Sequence, residues 1–229
     1  MLIIGHRGAA GLAPENTIAA FKEGVAAGAD MLEFDVQLTR DGIPVVIHDS
    51  TLLRTHKKRT IVRWSSHKSL NEATAHGHKI ATLEEVLDLF FGKILLNLEV
   101  KSRGGGKVAA RLIAEKYVKK PEDWENVLFS SFKVLELVSI RRLAPKAELA
   151  MLHDRNPFTF MVYERRLHFT AVGFHRLRVN PLSLQVAKQL GIFTYVYTVN
   201  RPKAAKRLEE EGLDGVVTDN PKLLRDALK

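Results

Sequence analysis

Three carboxylates in this sequence are spaced so that they could hold a divalent cation. Glu33 and Asp35 stand two positions apart in one strand-like run, and Glu99 stands near the end of another. Alternate residues of a strand share one face, so Glu33 and Asp35 would point the same way. Carboxylates that converge in a low-dielectric site repel one another unless a positive group holds them. Ligands that are all oxygen favour a hard cation such as Mg²⁺ or Ca²⁺, and a network of Asp/Glu–Lys/Arg ion pairs is the alternative.

Two histidines and two cations follow strand-like runs of the same kind. His6 and Arg7 end the first run, His48 follows a short extra run, and Lys101 stands two positions after Glu99. Two histidines beside a cation suit general acid and base catalysis near neutral pH, and arginine can bind two phosphate oxygens at once. A lone histidine is more often a structural residue, so the prediction depends on the combination. The set indicates phosphoryl transfer without a nucleotide loop, because neither GxxxxGK[ST] nor GxGxxG occurs.

These residues must be positioned by the elements around them. The expected strands are 2–6, 31–38, 94–100, 127–130, 147–152, 171–174, 193–199 and 215–218. The expected helices are 16–27, 82–91, 107–117, 133–143, 157–167, 181–190, 202–211 and 221–228. Alternating βα units imply a parallel sheet, and eight such units favour an α/β fold of the (β/α)8 TIM-barrel type over a doubly wound sheet. Such a barrel carries its chemistry at the C-terminal ends of its strands.

One segment interrupts the alternation. Asp41 and Gly42 form a turn signal, 43–47 is typical of a short extra strand, and 50–79 is polar, basic and rich in histidine. This last stretch is too long for an ordinary connection, so it is functional, a small excursion, or mobile. With 229 residues, the chain is expected to form a single domain, 1–229, that contains 50–79 as a small insertion.

Composition narrows the possible functions. Cysteine is absent, which excludes disulfides, a thiolate metal site and a cysteine nucleophile. Neither a signal peptide nor a run of transmembrane length is recognisable, so we expect a cytoplasmic protein without a membrane span. The formal net charge of +9 suits an anionic partner, although many of these cations would lie on solvated helix faces in any case.

Much of the chain resembles the glycerophosphodiester phosphodiesterase family. The similar segments are GHRGAAGLAPENT (5–17), GADMLEFDVQLTRDGIPVVIHD (28–49), ATLEEVL (81–87), LNLEVK (96–101), VLFSSF (127–132), GIFTYVYTVN (191–200) and GVVTDNP (215–221). The resemblance implies a TIM barrel with a short insertion after the HD motif. It also implies metal-dependent hydrolysis of small-molecule glycerophosphodiesters to glycerol phosphate and an alcohol.

Catalytic and metal-binding roles follow from the resemblance. It implies that Glu33, Asp35 and Glu99 hold one divalent cation, Mg²⁺ or Ca²⁺, with Mn²⁺ as a further candidate. It implies that His6 and His48 are the catalytic pair. We assign His6 as the general base and His48 as the general acid, and the reverse assignment stays open.

Substrate-binding roles follow in the same way. The resemblance implies that Arg7 and Lys101 contact phosphate and that Glu15 and Asn16 shape the site, unless Asn16 only caps the following helix. The family usually has Trp where Tyr197 stands, so we expect Tyr197 to alter how the glycerol or the leaving group packs.

Two other functions compete with this one. A lysophospholipase D-type phosphodiesterase would use the same site, and a long apolar groove at the barrel mouth would favour it. A nucleic-acid-binding barrel would use the net charge and the basic run 56–63. It would not explain the inward carboxylates, which repel nucleic acid, so no nucleic-acid partner is expected. Nothing in the sequence indicates an oligomeric state.

Overall fold

The strands of the protein form a closed ring. The computed structural model describes residues 1–74, 77–153 and 155–228. Within these ranges the nine strands are β1 (Leu2–Gly5), β2 (Met31–Leu38), β3 (Pro44–Val46), β4 (Leu95–Val100), β5 (Val127–Ser131), β6 (Glu148–His153), β7 (Ala171–His175), β8 (Phe193–Tyr197) and β9 (Gly215–Thr218). Eight are parallel in the order β1-β9-β8-β7-β6-β5-β4-β2, and β1 pairs with β2 to close the ring. The predicted TIM barrel is confirmed, and the doubly wound alternative is wrong.

Helices connect the strands and cover the ring. In the described ranges they are α1 (Ile18–Ala26), α2 (Leu53–His56), α3 (His67–Ala73), α4 (Leu83–Phe90), α5 (Gly105–Lys116), α6 (Val134–Leu143), α7 (Thr159–Leu167), α8 (Pro181–Gln189), α9 (Pro202–Glu210) and α10 (Pro221–Ala227). Proline begins α8, α9 and α10, because a first helical residue needs no N–H donor. Every helix of the predicted alternation begins and ends within two residues of its expected bounds.

The core has two layers, one on each side of the strands. Leu32, Phe34 and Val36 of β2 pack outward in the cluster that contains Phe21 of α1 and Phe90 of α4. The intervening residues of β2 therefore face the interior of the barrel. The interior holds a smaller apolar cluster, whose buried members are Ile4, Met31, Leu128, Ala150, Leu152, Ala171, Tyr195 and Val217. This arrangement leaves the mouth of the barrel to polar side chains.

The start of α1 differs from its prediction in a way that matters for the site. The helix begins at Ile18, because Thr17 is its N-cap and accepts a hydrogen bond from the Ala20 N–H. Asn16 has a positive φ of 57° and lies outside the helix. The alternative explanation of Asn16 as a helix cap is therefore wrong.

The described residues of the 50–79 segment, 50–74 and 77–79, form a small folded excursion beside the barrel. The excursion contains α2, a 3₁₀ turn at Val62–Trp64 and α3. Leu52, Val62 and Leu70 are buried together with Val45 of the antiparallel strand β3, so this segment has an apolar core of its own. His76, one of its histidines, lies outside the described residues.

Candidate active site

The three carboxylates proposed as cation ligands meet at the mouth of the barrel. Glu33 and Asp35 lie on the inner face of β2, and Glu99 is the neighbour of Asp35 across the β2–β4 ladder. One oxygen from each carboxylate lies within 4.8 Å of the others. Ligands about 2.0–2.6 Å from one ion are at most about 5 Å apart, so this spacing fits a single cation.

Two cationic side chains lie against these carboxylates. Nζ of Lys101 is 3.0 Å from Oδ1 of Asp35 and 2.7 Å from Oε1 of Glu99. The backbone N–H of Arg7 donates to Oε2 of Glu33 at 2.8 Å, and Nε of Arg7 lies 3.5 Å from Oδ2 of Asp35. This Nε is buried and has no hydrogen-bond partner among the described residues. The network of ion pairs that was considered as the alternative to a cation site is thus present, and it lies beside the three convergent carboxylate oxygens.

The charge balance of the cluster fits a further cation. Burial acts to raise the pKa of Asp35, but Lys101 and Arg7 hold it below its ordinary value. Burial and then the neighbouring Asp35 raise the pKa of Glu33 to about 7. The same two causes raise the pKa of Glu99. The cluster is short of positive charge, and its all-oxygen donors are those that Mg²⁺ and Ca²⁺ prefer.

His6 lies at the end of β1 and is oriented from the end of β9. Its Nδ1 donates to Oδ1 of Asp219 at 2.5 Å, across the seam where the two strands pair. Asp219 is held in turn by Asn200, whose Oδ1 accepts from the Asp219 backbone N–H at 2.9 Å and whose Nδ2 donates to the Asp219 carboxylate. Burial acts to lower the pKa of His6, but the bond to Asp219 holds it above its ordinary value. Because Nδ1 is occupied, Nε2 is the nitrogen left for proton transfer.

His48 is oriented by a chain of ion pairs that includes the excursion. Its Nδ1 donates to Oδ1 of Asp49 at 2.6 Å, and Nε of Arg54 in α2 donates to Oδ2 of Asp49 at 2.7 Å. Nη1 and Nη2 of Arg54 donate to Glu15 at 2.7 and 2.6 Å, and Glu15 accepts from Nη1 of Arg7 at 2.7 Å. Burial lowers the pKa of His48. The structure therefore places Glu15 between two guanidinium groups, where it orients Arg7.

Asn16 holds one of the carboxylates in place. Its Nδ2 donates to Oδ2 of Asp35 at 2.9 Å, and its Oδ1 accepts from the Asp35 backbone N–H at 3.2 Å. Asn tolerates a left-handed backbone better than most residues, which allows this side chain to turn inward before α1 begins. Asn16 thus fixes the direction of Asp35 and does not cap the helix.

Tyr197 ends β8 at the edge of the mouth. Its hydroxyl donates to the backbone oxygen of His153 at 2.7 Å, and its ring meets the ring of Phe132 edge to face with centroids 6.0 Å apart. The ring of Tyr197, rather than its hydroxyl, is therefore the part suited to pack against a substrate. Phe132 was not among the predicted site residues.

Three further residues of the site were not predicted from the sequence. Asp49 and Asp219 stand in segments that carry the family resemblance, and each binds one histidine. Adjacency in the HD motif was a usable signal for Asp49, and barrel closure, which sets β9 beside β1, was one for Asp219. Arg54 had no signal of its own, since the excursion contains many other cations.

Arg54→Met is expected to lower kcat by about 10- to 100-fold, the scale seen when a group that orients a functional side chain is removed. The reason is that Asp49 and Glu15 both lose a charged donor, so His48 and Arg7 lose their fixed orientation. Steady-state kinetics and thermal unfolding would measure the effect. Lys58→Met, which removes a cation from the same segment, is the matched control. Equal kinetics in the two variants would contradict the orienting role of Arg54.

The fold and the site together define a barrel enzyme that acts on an anionic substrate. Residues 6–223 match the model of the glycerophosphoryl diester phosphodiesterase family. A glycerophosphodiester phosphodiesterase of Caldanaerobacter subterraneus subsp. tengcongensis is 34% identical over an alignment of 237 positions, gaps included, that covers 97% of this chain and 96% of that protein. The chain belongs to the glycerophosphoryl diester phosphodiesterase family. The expected family and the expected class of enzyme, a phosphoric diester hydrolase, are confirmed.

Solved structures agree with this membership. An Oleispira antarctica phosphodiesterase in complex with the product sn-glycerol-3-phosphate has a TM-score of 0.88 at 26% identity, covering 100% of this chain and 96% of that one. A glycerophosphodiester phosphodiesterase of Thermotoga maritima has a TM-score of 0.81 at 28% identity, covering 100% of this chain and 98% of that one. Both solved structures therefore align with the whole of this chain, including the barrel and the excursion.

Proposed function

We propose that the protein hydrolyses glycerophosphodiesters to glycerol phosphate and an alcohol with the help of one divalent cation. The observation that carries this proposal is the cluster of Glu33, Asp35 and Glu99, with Arg7 and Lys101 against it, at the mouth of the barrel. The Oleispira antarctica relative with bound sn-glycerol-3-phosphate supports the same class of substrate.

The three carboxylates are the residues that would hold Mg²⁺, Ca²⁺ or Mn²⁺. When bound, such a cation polarises a phosphate oxygen and neutralises developing negative charge. Lys101 and Arg7 lie beside the ligands and would meet the other phosphate oxygens.

The two histidines would move the protons. A glycerol hydroxyl attacks phosphorus, and one histidine accepts its proton at Nε2 while the other gives a proton to the departing alcohol oxygen. The ester bond to the alcohol breaks and a cyclic phosphodiester remains. Water then opens the ring, and each histidine performs the opposite role, which returns both to their starting states. Asp219 and Asp49 keep the Nδ1 proton of each ring in place throughout.

A panel of substrates tests this function directly. Release of glycerol phosphate would be measured from glycerophosphocholine, glycerophosphoethanolamine and glycerophosphoglycerol, and compared with the matching lysophospholipids. Each reaction would be run with Mg²⁺, Ca²⁺, Mn²⁺ and chelator. We expect turnover of the glycerophosphodiesters and little turnover of the lysophospholipids, since the relatives of this chain are glycerophosphodiester phosphodiesterases. Faster turnover of the lysophospholipids would overturn the proposed substrate class.

We also propose that the chain acts as one domain in the cytoplasm. The excursion packs on β3 and contributes Arg54 to the site, so it belongs to the same functional unit as the barrel. Among the described residues, none of the helices has the length and apolar character needed to cross a bilayer.

The basic segment of the excursion is expected to attract substrate. Lys57 lies on the surface that His48 and Arg54 also border, and Lys58 and Arg59 follow it in exposed positions. Replacing all three with Gln should lower kcat/KM roughly 3- to 10-fold at low salt, leave kcat nearly unchanged and flatten the salt dependence. Steady-state kinetics at several ionic strengths would measure this.

The control for this prediction removes the same charge from the opposite end of the barrel. The opposite-face triple is Lys93→Gln, Lys119→Gln and Lys146→Gln, in exposed connections that lead into β4, β5 and β6. It should leave the kinetics unchanged. If both triples show the wild-type salt dependence, the excursion is a structural cap only.

A further inference from the structure

Half of the barrel mouth is bordered by connections whose exposed side chains, apart from Phe132 and Asn200, have no part in the proposed reaction. They follow β5, β6, β7 and β8, at 132–133, 155–158, 176–180 and 198–201. These four strands are consecutive neighbours in the barrel, so their connections lie side by side. We call these connections, with the first turns of α6, α7 and α8, the basic rim.

The basic rim exposes large apolar side chains. Leu135, Val162 and Leu177 are 78%, 75% and 75% exposed, and Leu182 and Phe132 are exposed as well. Single exposed apolar residues are ordinary on a soluble protein. These side chains lie on neighbouring connections and helix starts at one end of the barrel, and exposed apolar residues grouped in this way mark a place of interaction.

Cations lie among these apolar side chains. The exposed basic residues of the rim connections are Lys133, Arg155, Arg176, Arg178 and Arg201. Among the described residues of the basic rim the one carboxylate is Glu136, which is buried and accepts from the backbone N–H groups of Gly104 and Gly106. Asp154 lies outside the described residues. The described surface is therefore positive as well as apolar.

A cleft behind the rim has the same chemistry. It opens between α8 and α9 with a volume of about 1280 Å³, and Leu184, Val199 and Leu208 form apolar parts of its wall. Arg176 and Arg201 also line it. Apolar walls with guanidinium groups complement a molecule that is both anionic and lipophilic.

We propose that the basic rim docks the protein on the surface of an anionic lipid bilayer. Lys and Arg attract anionic headgroups, and protruding Leu, Val and Phe side chains enter the boundary of the acyl chains. A nucleic acid would instead be bound by stacking on aromatic rings, and Phe132 is the one exposed aromatic ring among the described residues of the rim. A second copy of this chain would bring together two positive surfaces.

Docking in this orientation turns the active site towards the membrane. Phe132 packs against Tyr197, so the rim continues directly into the mouth that holds the carboxylates. Docking on the bilayer does not depend on which phosphodiester the protein cleaves. It also does not require a membrane-spanning helix.

Sedimentation with lipid vesicles tests the proposal. One set of vesicles is phosphatidylcholine alone, and the other contains about one third phosphatidylglycerol. The protein should sediment with the anionic vesicles and stay in the supernatant with the neutral ones. Raising the salt from about 0.1 M to about 0.5 M should weaken the binding, because the Debye length shortens.

Two kinds of variant distinguish binding by the basic rim from attraction by the net charge of the protein. Arg176→Gln, Arg178→Gln and Arg201→Gln together should lower the partition coefficient on anionic vesicles about 100-fold, whereas the opposite-face triple should change it less than about 3-fold. Leu177→Ser should lower it about 10-fold, and Leu190→Ser, an exposed leucine at the end of α8, should not. None of these substitutions should alter turnover of soluble glycerophosphocholine.

Several results would overturn the proposal. One is equal loss of binding in the two charge triples, which would indicate attraction by net charge alone. Another is failure of the wild-type protein to bind anionic vesicles. A third is tighter binding to a single-stranded oligonucleotide than to vesicles. A concentration-dependent dimer that Leu177→Ser dissociates would show that a second copy covers this surface.

Discussion

Asp35→Asn is expected to lower kcat/KM on glycerophosphodiesters by on the order of 10³-fold, because cation assistance contributes several kcal/mol to such reactions. Asp35 is the carboxylate that Asn16, Lys101 and Arg7 all contact. Its loss removes a ligand of the metal ion and leaves the side chains of Lys101 and Arg7 without this negatively charged partner. Steady-state kinetics and thermal unfolding with and without added cation would measure the effect.

The control for this prediction is an exposed carboxylate remote from the site. Glu84 lies on α4 and pairs with Lys116, so Glu84→Gln should leave both kinetics and cation response unchanged. In the wild-type protein a chelator should abolish turnover, and added cation should raise Tm. In Asp35→Asn the rise in Tm should disappear. Full wild-type activity in chelator would contradict the assignment of the cluster as a metal site.

The affinity for the cation should also depend on pH through Glu33. The pKa of Glu33 is raised from 4.5 to about 7. Without cation, the protonated Glu33 therefore adds to the free energy of unfolding fully below pH 4.5, and this contribution is lost as the pH rises through about 7. Cation binding requires the charged carboxylate, so the apparent affinity should fall roughly tenfold per pH unit below about 7. Calorimetry between about pH 5.5 and 8 would measure this slope. Glu33→Gln should bind more weakly with a flatter slope, and a pH-independent wild-type affinity would contradict the prediction.

The second large effect is expected from the histidines. His6→Ala and His48→Ala should each lower kcat by about 10²-fold or more, the usual contribution of a general acid or base. Neither histidine is one of the three residues that would hold the cation, so added cation should still raise Tm in both variants. His168→Asn, in the connection that leads into β7 at the other end of the barrel, is the matched control.

A substrate with a very good leaving group distinguishes the acid from the base. Such a leaving group departs without a proton, so turnover by the variant that lacks the acid should recover towards the wild-type value. The variant that lacks the base should not recover. Near-native kcat on an unactivated diester in either variant would show that the missing histidine has no catalytic role. Equal recovery in both variants would contradict the division of labour between His6 and His48.

The features that were predictable from the sequence are those set by local spacing. The two-residue separation of Glu33 and Asp35 put both carboxylates on one face of β2. The alternation of eight strands and helices then placed Glu99 at the same end of a parallel barrel. Neither step needed any knowledge of how distant parts of the chain pack.

The features that were missed depend on contacts between distant segments. Arg54 reaches Glu15 and Asp49 only because the excursion folds on its own core and turns α2 towards the mouth. The family resemblance did point to Asn16 as a residue that shapes the site, but its contact with Asp35 depends on a positive φ that no spacing rule indicates. Such residues become visible once the path of the chain is known.

The seam between β1 and β9 has a consequence for protein synthesis. A growing chain already contains every carboxylate of the cluster and both histidines by Lys101. Asp219, which orients His6, arrives only with β9, the strand that inserts between β8 and β1. A nascent or cleaved chain without that strand therefore carries its ligands in an open sheet, with His6 unsupported. Turnover is therefore expected only once β9 has been made and has joined the ring, so the appearance of activity would report that the ring has closed.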